Sequence, residues 1–226
     1  MIEYLPWMKS IEELERWQTS HKDPQNENEK RSKIKIAVVD DQPFSSAKNL
    51  RSVGYQISEL GDLKSVKEIE EYHIILCDIQ GVGSAFDSSL EGGFLIDEIK
   101  RNYPDRFVIA YTGGTLNPNT MDFVQAVADE FVRKDADVNE WRAKLDRIIE
   151  EILDPVRVWR RQREVMVERN VDTKSILRVE HAFVDAILGK SQTAYVSLVN
   201  SSKLPQDVRA IGQSLIASGI FKYFVG

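Results

Sequence analysis

Short apolar runs alternate with amphipathic segments through the middle of this 226-residue chain, between residues 34 and 153. The runs have the length and the β-branched content of buried strands, and the segments between them carry apolar residues at helical spacing. Such alternation predicts an α/β fold in which helices cover both faces of a doubly wound, five-stranded parallel sheet. The predicted strands are residues 34–40, 55–60, 73–78, 106–111 and 129–132, and the predicted helices are residues 44–53, 62–71, 92–102, 119–127 and 138–153.

Carboxylates follow two of the predicted strands. Asp40 and Asp41 come at the end of the run that begins at Ile34, and Asp78 ends the run that begins at His73. Because the carboxyl ends of parallel strands meet at one edge of a sheet, we expect the three acids to converge there. Carboxylates held together repel one another unless a cation or a proton is present, so this edge favours a hard divalent ion such as Mg²⁺.

Several classes of site are disfavoured by what the sequence lacks. The single cysteine, Cys77, excludes an internal disulfide and a cysteine-based zinc site, and its apolar neighbours predict a buried core residue. No G-x-G-x-x-G loop follows the first strand, which argues against a dinucleotide site, and no Walker-type phosphate loop is present either. The sequence shows neither a signal peptide nor an apolar run long enough to cross a bilayer, so we expect a cytoplasmic protein without a membrane partner.

The flanks differ from the middle of the chain. Residues 9–20 have the spacing of a short amphipathic helix, and the polar stretch Ser20–Ser32 predicts a flexible linker. Asp154-Pro155 predicts the N-cap and first position of a new helix, with one long bent helix as the alternative. These boundaries divide the chain into an N-terminal helix and linker (1–32), an α/β domain (33–154) and an all-α interaction or dimerisation region (155–226).

The C-terminal region is basic. Residues 155–226 carry a net charge of +5, against −11 for residues 1–154. Trp159 lies among Arg157, Arg160, Arg161 and Arg163, an arrangement that suits nucleic acid; we favour a solvated helix face paired with the acidic half. Apolar stripes at helical spacing predict a small helical bundle or a homodimer interface, into which the aromatic tail, residues 221–224, packs.

Further polar residues follow the later strands. Thr112 follows the fourth predicted strand and Lys134 follows the fifth, with Phe131 three residues before Lys134. Together with Asp40-Asp41 and Asp78, these residues recur in the order found in the receiver domains of two-component response regulators. Residues 34 to about 153 therefore resemble a receiver domain, and the resemblance implies the flavodoxin-like receiver fold.

The resemblance implies phosphoryl transfer onto an aspartate. Asp78 would be the nucleophile towards a phosphohistidine or a small acyl phosphate, while Lys134 and Thr112 would contact oxygens of the phosphoryl group. Phe131 would rotate into the space that Thr112 vacates, which changes the surface offered to a partner. Such a protein catalyses its own phosphorylation and dephosphorylation without being a conventional enzyme.

The resemblance also implies a magnesium site. Asp41 and Asp78 would bind Mg²⁺ directly, with the backbone carbonyl of Gln80 as a further ligand, and Asp40 would act mainly through bound water. Since Mg²⁺ keeps several waters, two or three protein ligands suffice.

The sequence departs from the family in specific places. The segment from Asp78 to Gly93 is longer than usual and lacks the Met-Pro pair common after the phosphorylated aspartate. Lys134 is followed by Asp135 where proline is usual, Phe131 stands where tyrosine is common, and the flanking segments are additional. The long loop, residues 79–92, either gates the donor or slows hydrolysis of the acyl phosphate, or it is a tolerated surface insertion.

The sequence thus predicts a response regulator that receives a phosphoryl group from a sensor histidine kinase or a phosphotransfer protein. Its helical region would then act on a downstream protein or on its own homodimer. Two alternatives stay open: a phosphorylation-independent scaffold with the receiver fold, and a nucleic-acid-binding regulator that uses the basic C-terminal helices.

Overall fold

The computed structural model describes residues 9–20, 26–86 and 92–226. The chain divides into two compact units: Met1–Pro24 with Ile152–Gly226, called here the helical unit, and Gln25–Glu151, called the sheet unit. Parts of the predicted linker and of the long loop, residues 21–25 and 87–91, lie outside the described residues. Among the helices that are described, none combines the length and apolar character needed to span a bilayer.

An all-parallel sheet forms the centre of the sheet unit. Its strands are β1 (Lys35–Val39), β2 (Gln56–Glu59), β3 (Ile74–Asp78), β4 (Phe107–Thr112) and β5 (Glu130–Arg133). The order β2-β1-β3-β4-β5 is the flavodoxin-like order. The predicted fold class and the five predicted strands are confirmed, with strand ends that differ by at most one residue.

Helices make up most of the remaining structure. The helices are α1 (Ile11–Ser20), α2 (Glu27–Lys33), α3 (Ala47–Ser52), α4 (Gly92–Asn102), α5 (Pro118–Val127), α6 (Val138–Ile152), α7 (Pro155–Glu168), α8 (Thr173–Leu188), α9 (Thr193–Val199), α10 (Gln206–Ala217) and α11 (Ile220–Val225).

Both faces of the sheet are covered because successive strand residues point to opposite sides. On one face, Leu95, Ile96 and Ile99 of α4 pack in a buried cluster that includes Cys77. On the other, the ring of Trp141 from α6 meets Tyr111 of β4 at a centroid distance of 5.8 Å. Cys77 is fully buried, as predicted, and burial raises the pKa of its thiol.

The helix predicted over residues 62–71 is wrong in extent, since only a 3-10 turn, Val66–Ile69, forms there. Ser65 starts this turn with an extended backbone, and its hydroxyl accepts a hydrogen bond from the Lys67 N–H at 3.3 Å. The Glu68 carboxylate accepts from the Ser65 N–H at 2.9 Å. Ser65 is therefore the N-cap, and the helical turn begins only at Val66. Because the backbone of Ser65 is extended, residues 62–64 cannot be part of the same helix.

Helix α2 occupies much of the stretch that the polar composition predicted as a flexible linker. Asn26 caps it, its side chain accepting from the Asn28 N–H at 3.1 Å. Arg31 is buried and forms a bidentate ion pair with Asp146 of α6, with distances of 2.8 and 2.6 Å. Its guanidinium also lies over the ring of Tyr55. The prediction was wrong because the group that this helix buries is charged rather than apolar.

Asp146→Asn is expected to lower the free energy of unfolding by about 3 kcal/mol, because the buried Arg31 guanidinium loses its bidentate carboxylate partner and keeps, among the described acids, only the exposed Glu27, at 3.1 Å. Burial raises the pKa of Asp146, but hydrogen bonds from Arg31 and Tyr55 outweigh that effect and hold the pKa below its ordinary value. The ionised Asp146 carboxylate therefore contributes its full stabilisation at pH values above the pKa of Asp146 in the unfolded chain. This stabilisation is lost as the pH falls through the lower pKa of Asp146 in the folded protein.

Urea unfolding of wild type and Asp146→Asn, followed from neutral to acidic pH, measures this contribution. The difference between the two proteins should narrow towards acid, and a difference that stays constant would contradict the assignment. Glu150→Gln is the matched control, because its ion pair with Lys30 is long, at 3.4 Å, and Glu150 is exposed. Its effect should stay within about 1 kcal/mol.

The helical unit contains α1 and the helices from α7 onward, and residues 155–226 form no strand, as predicted. Asp154 caps α7 by accepting from the N–H groups of Val156 and Arg157, so a new helix begins there and the alternative of one bent helix is wrong. The predicted stripe of α8 is buried throughout: Ile176, Val179, Phe183 and Ile187.

Aromatic and basic residues of the helical unit have internal partners. Trp159 is buried and its indole N–H donates to Glu180 at 2.7 Å, so its ring is not available for stacking on bases. Arg160 pairs with Glu15 of α1 at 2.7 Å. In the aromatic tail, the ring of Phe221 lies 4.4 Å from that of Tyr195, so the tail packs into the bundle as predicted.

Candidate functional site

Three carboxylates meet at the carboxyl edge of the sheet. Strands β1 and β3 are neighbours, with Val39 opposite Cys77, so the residues that follow are brought side by side. One oxygen from each of Asp40, Asp41 and Asp78 lies within 4.8 Å of the others. Asp40 and Asp78 are buried and Asp41 is exposed. The cluster therefore has a buried base and an open side.

Lys134 lies between two of these acids. Its ammonium nitrogen is 2.7 Å from Asp78 Oδ2 and 2.9 Å from Asp40 Oδ2. Its backbone N–H donates to the Thr112 carbonyl at 2.9 Å, which holds the start of the loop after β5 beside the end of β4. Burial lowers the pKa of Lys134, but the hydrogen bonds to Asp78 and Asp40 outweigh it and raise the pKa, so the ammonium stays charged.

Asp40 accepts two hydrogen bonds in addition to its ion pair with Lys134. The Tyr111 hydroxyl donates to Asp40 Oδ2 at 2.6 Å, and the Gln42 N–H donates to Oδ1 at 2.9 Å. Burial, together with the bond to Asp40, raises the pKa of Tyr111, so the phenol remains a donor. Sequence reasoning missed Tyr111; its available signal was a phenol at the end of a buried strand, directly before Thr112.

The donor set fits a hard divalent cation. Three carboxylates and one ammonium leave two formal negative charges in the cluster, which a divalent ion balances. Both oxygens of Asp40 already accept hydrogen bonds, whereas Asp41 and Asp78 Oδ1 accept only long ones, at 3.3 Å from the Gln42 side chain and the Gln80 N–H. Asp41 and Asp78 thus have more free capacity than Asp40 to ligate an ion.

Thr112 and Gln80 contact each other through their side chains. The Thr112 hydroxyl donates to Gln80 Oε1 at 3.2 Å and accepts from the Gly114 N–H at 3.3 Å. A β-carbon at position 114 would lie 2.4 Å from Gln80 Oε1, so a glycine makes room for this amide. The sequence suggested only a backbone role for Gln80. Phe131, paired in register with Ala110, lies half-buried on the sheet face that Thr112 shares.

An aromatic cluster includes Tyr111, whose hydroxyl donates to Asp40. The rings of Phe44, Tyr111 and Trp141 have centroid distances of 5.2 to 5.8 Å from one another. Since Tyr111 also holds Asp40, the fluorescence of Trp141 should report on changes at the acid cluster.

No protein-family model and no curated protein matches the chain. Solved structures of response-regulator receiver domains do match it, over about half its length. The CheY-like receiver domain protein from Methanospirillum hungatei JF-1 is 21% identical, over 52% of this chain and 94% of that one, with a TM-score of 0.44. A response regulator from Thermotoga maritima is 20% identical, over 52% and 98%, with a TM-score of 0.43.

The beryllofluoride-activated N-terminal receiver domain of RstA from Klebsiella pneumoniae is 17% identical, over 51% of this chain and 97% of that one, with a TM-score of 0.44. The part of this chain that resembles receiver domains has the flavodoxin-like strand order, and the C-terminal region is helical.

Proposed function

We propose that this protein is a two-component response regulator that accepts a phosphoryl group on Asp78 in a Mg²⁺-dependent reaction. The observation that carries the proposal is the acid cluster at the end of β3, where Asp78 lies beside two further carboxylates and 2.7 Å from the Lys134 ammonium. This combination supplies a nucleophile, a cation-binding set and a fixed positive charge at one point.

The reaction follows from these groups. A carboxylate oxygen of Asp78 attacks the phosphorus of a phosphohistidine or a small acyl phosphate; the new O–P bond forms as the P–N or P–O bond to the donor breaks, and the leaving group keeps the electron pair. The Lys134 ammonium, which pairs with Asp78 in this structure, would then bind a negatively charged phosphoryl oxygen. Mg²⁺ held by Asp41, Asp78 and the carbonyl of Gln80, with Asp40 acting through water, would neutralise charge between carboxylate and phosphoryl group.

Thr112 completes the proposed site. Its hydroxyl donates to Gln80 Oε1 in this structure, so it must leave that acceptor before it can donate to a phosphoryl oxygen. Phe131 lies on the same face of the neighbouring strand, which supports the proposal that it moves when Thr112 does. Hydrolysis, with water attacking the phosphorus, restores the Asp78 carboxylate and releases phosphate.

A sensor histidine kinase or a phosphotransfer protein would supply the phosphoryl group. The helical unit, with its own buried core, would transmit the change to a downstream protein or to a second copy of the chain. Because Trp159 is buried and Arg160 is paired with Glu15, the basic segment is less suited to binding nucleic acid, and a protein partner is favoured.

Addition of Mg²⁺ and beryllofluoride, a phosphoryl mimic, tests the proposal. We expect a saturable change in tryptophan fluorescence that needs both components, because the Trp141 ring contacts Tyr111, whose hydroxyl donates to Asp40. Trp141→Phe should remove the signal, and sedimentation velocity on the same samples detects a change of oligomeric state. If calorimetry detects no binding of beryllofluoride with Mg²⁺, the phosphorylation proposal fails and the constitutive scaffold takes its place.

A further inference from the structure

The segment that follows Asp78, residues 80–84, touches several groups of the proposed site. The Gln80 N–H donates to Asp78 Oδ1 at 3.3 Å, and the Gln80 side chain accepts from Thr112. Gly81 lies so close to Asp41 that an added β-carbon would be 2.8 to 2.9 Å from the atoms of its carboxyl group. One short segment thus fixes the surroundings of the nucleophile, of a proposed metal ligand and of Thr112.

The 80–84 segment has little intrinsic preference for this conformation. Gly81 and Gly83 have φ values of +80° and +83°, in the left-handed region. Two glycines within three residues allow this backbone many other conformations when it is not held, so that ordering it costs conformational entropy. Contacts from outside the segment therefore have to stabilise the observed conformation.

Asp62, from the loop after β2, supplies that contact. Its carboxylate accepts from the Gly83 N–H at 2.7 Å and from the Ser84 N–H at 3.2 Å, and it also accepts from the Ser84 hydroxyl. Burial raises the pKa of Asp62, but the bonds from Ser84 and Gly83 outweigh it and lower the pKa below its ordinary value. A charged acceptor thus holds one end of the segment, while Gln80 holds the other.

We propose that Asp62 is a positioning residue for the metal site: by fastening Gly83 and Ser84 it holds Gly81 against Asp41 and so sets the geometry in which Asp41 and Asp78 bind Mg²⁺. This inference rests on the proposed function. Asp62 does not ligate the ion; it acts through the backbone of the 80–84 segment. Outer partners that orient metal ligands typically change affinity by about tenfold or more when they are replaced.

Asp62→Asn and Ser84→Ala test the inference together. Asp62→Asn removes the charge and keeps the shape, and Ser84→Ala removes only one of the three hydrogen bonds. We expect Mg²⁺ affinity, measured by isothermal calorimetry, to fall about tenfold in Asp62→Asn and by a smaller factor in Ser84→Ala. In protein free of Mg²⁺, hydrogen exchange at the Gly83 and Ser84 amides should accelerate in the same order.

Asp122→Asn, an exposed residue of α5, removes the same charge outside the segment and should leave Mg²⁺ affinity unchanged. If wild type binds Mg²⁺ and both Asp62→Asn and Ser84→Ala bind it within twofold as tightly, the positioning role is wrong while the proposed function stands. If wild type binds no Mg²⁺, both proposals fail. Should Asp62→Asn not fold, Ser84→Ala alone decides, since unchanged affinity and exchange would overturn the inference.

Discussion

Replacing Asp78 by asparagine is expected to abolish phosphorylation by acetyl phosphate in the presence of Mg²⁺, because the amide lacks the nucleophilic carboxylate oxygen. The fold should survive the change, since asparagine has the same shape and Lys134 keeps its second partner, Asp40, at 2.9 Å. Intact-protein mass spectrometry measures the uptake. Wild type should gain the mass of one phosphoryl group, and Asp78→Asn should gain none.

The control for this comparison is again Asp122→Asn, which changes an exposed carboxyl of the sheet unit and should be phosphorylated like wild type. A circular dichroism spectrum and a urea midpoint show that Asp78→Asn is folded. Equal uptake by folded Asp78→Asn and wild type would mean that the acid cluster accepts no phosphoryl group at this position.

Gly92→Ala is expected to be strongly destabilising, by about 3 kcal/mol or more, because no space exists for a methyl group there. A β-carbon at position 92 would lie 2.3 Å from the carbonyl oxygen of Asp78 and 2.8 Å from the Cα of Ile79. Both are backbone atoms, and the Gly92 N–H also donates to the Ile79 carbonyl at 3.0 Å. Urea unfolding measures the loss.

The adjacent glycine provides the matched control. A β-carbon at Gly93 would lie 3.1 Å from Val124 Cγ2 and 3.4 Å from Phe123 Cδ1, which are side-chain atoms that can shift. The gain in helix propensity, about 1 kcal/mol, should offset this crowding, so that Gly93→Ala stays near wild type. Equal stability of the Gly92 and Gly93 variants would show that the start of α4 does not approach the backbone after Asp78 this closely.

The sheet and the acid cluster were predictable because their signals are local. A strand buried on both faces is a continuous apolar run, and the ends of β3 and β4 mark the sheet edge at which Asp78 and Thr112 emerge. The convergence of Asp40, Asp41 and Asp78 was expected because the carboxyl ends of parallel strands share one edge, and the pairing of β1 with β3 brings the three acids side by side.

Contacts between distant, charged or polar residues were not predictable in this way. The pair Arg31–Asp146 joins residues 115 positions apart and buries charge, which a hydrophobic pattern does not register. The hydrogen bond from Tyr111 to Asp40 and the bonds from Ser84 to Asp62 likewise depend on which strands and loops meet. The expected helix over residues 62–71 failed for a different, local reason, because the capping box between Ser65 and Glu68 starts the helical turn at Val66.

The most direct test of the account locates the phosphoryl group itself. Wild-type protein is incubated with acetyl phosphate, the acyl phosphate is trapped by borohydride reduction, and peptide mapping identifies the modified residue. We predict that the modification lies on Asp78, requires Mg²⁺ and disappears with chelator. Modification at another residue, or equal modification without a divalent ion, would show that Asp78 is not the acceptor in a Mg²⁺-dependent phosphoryl transfer.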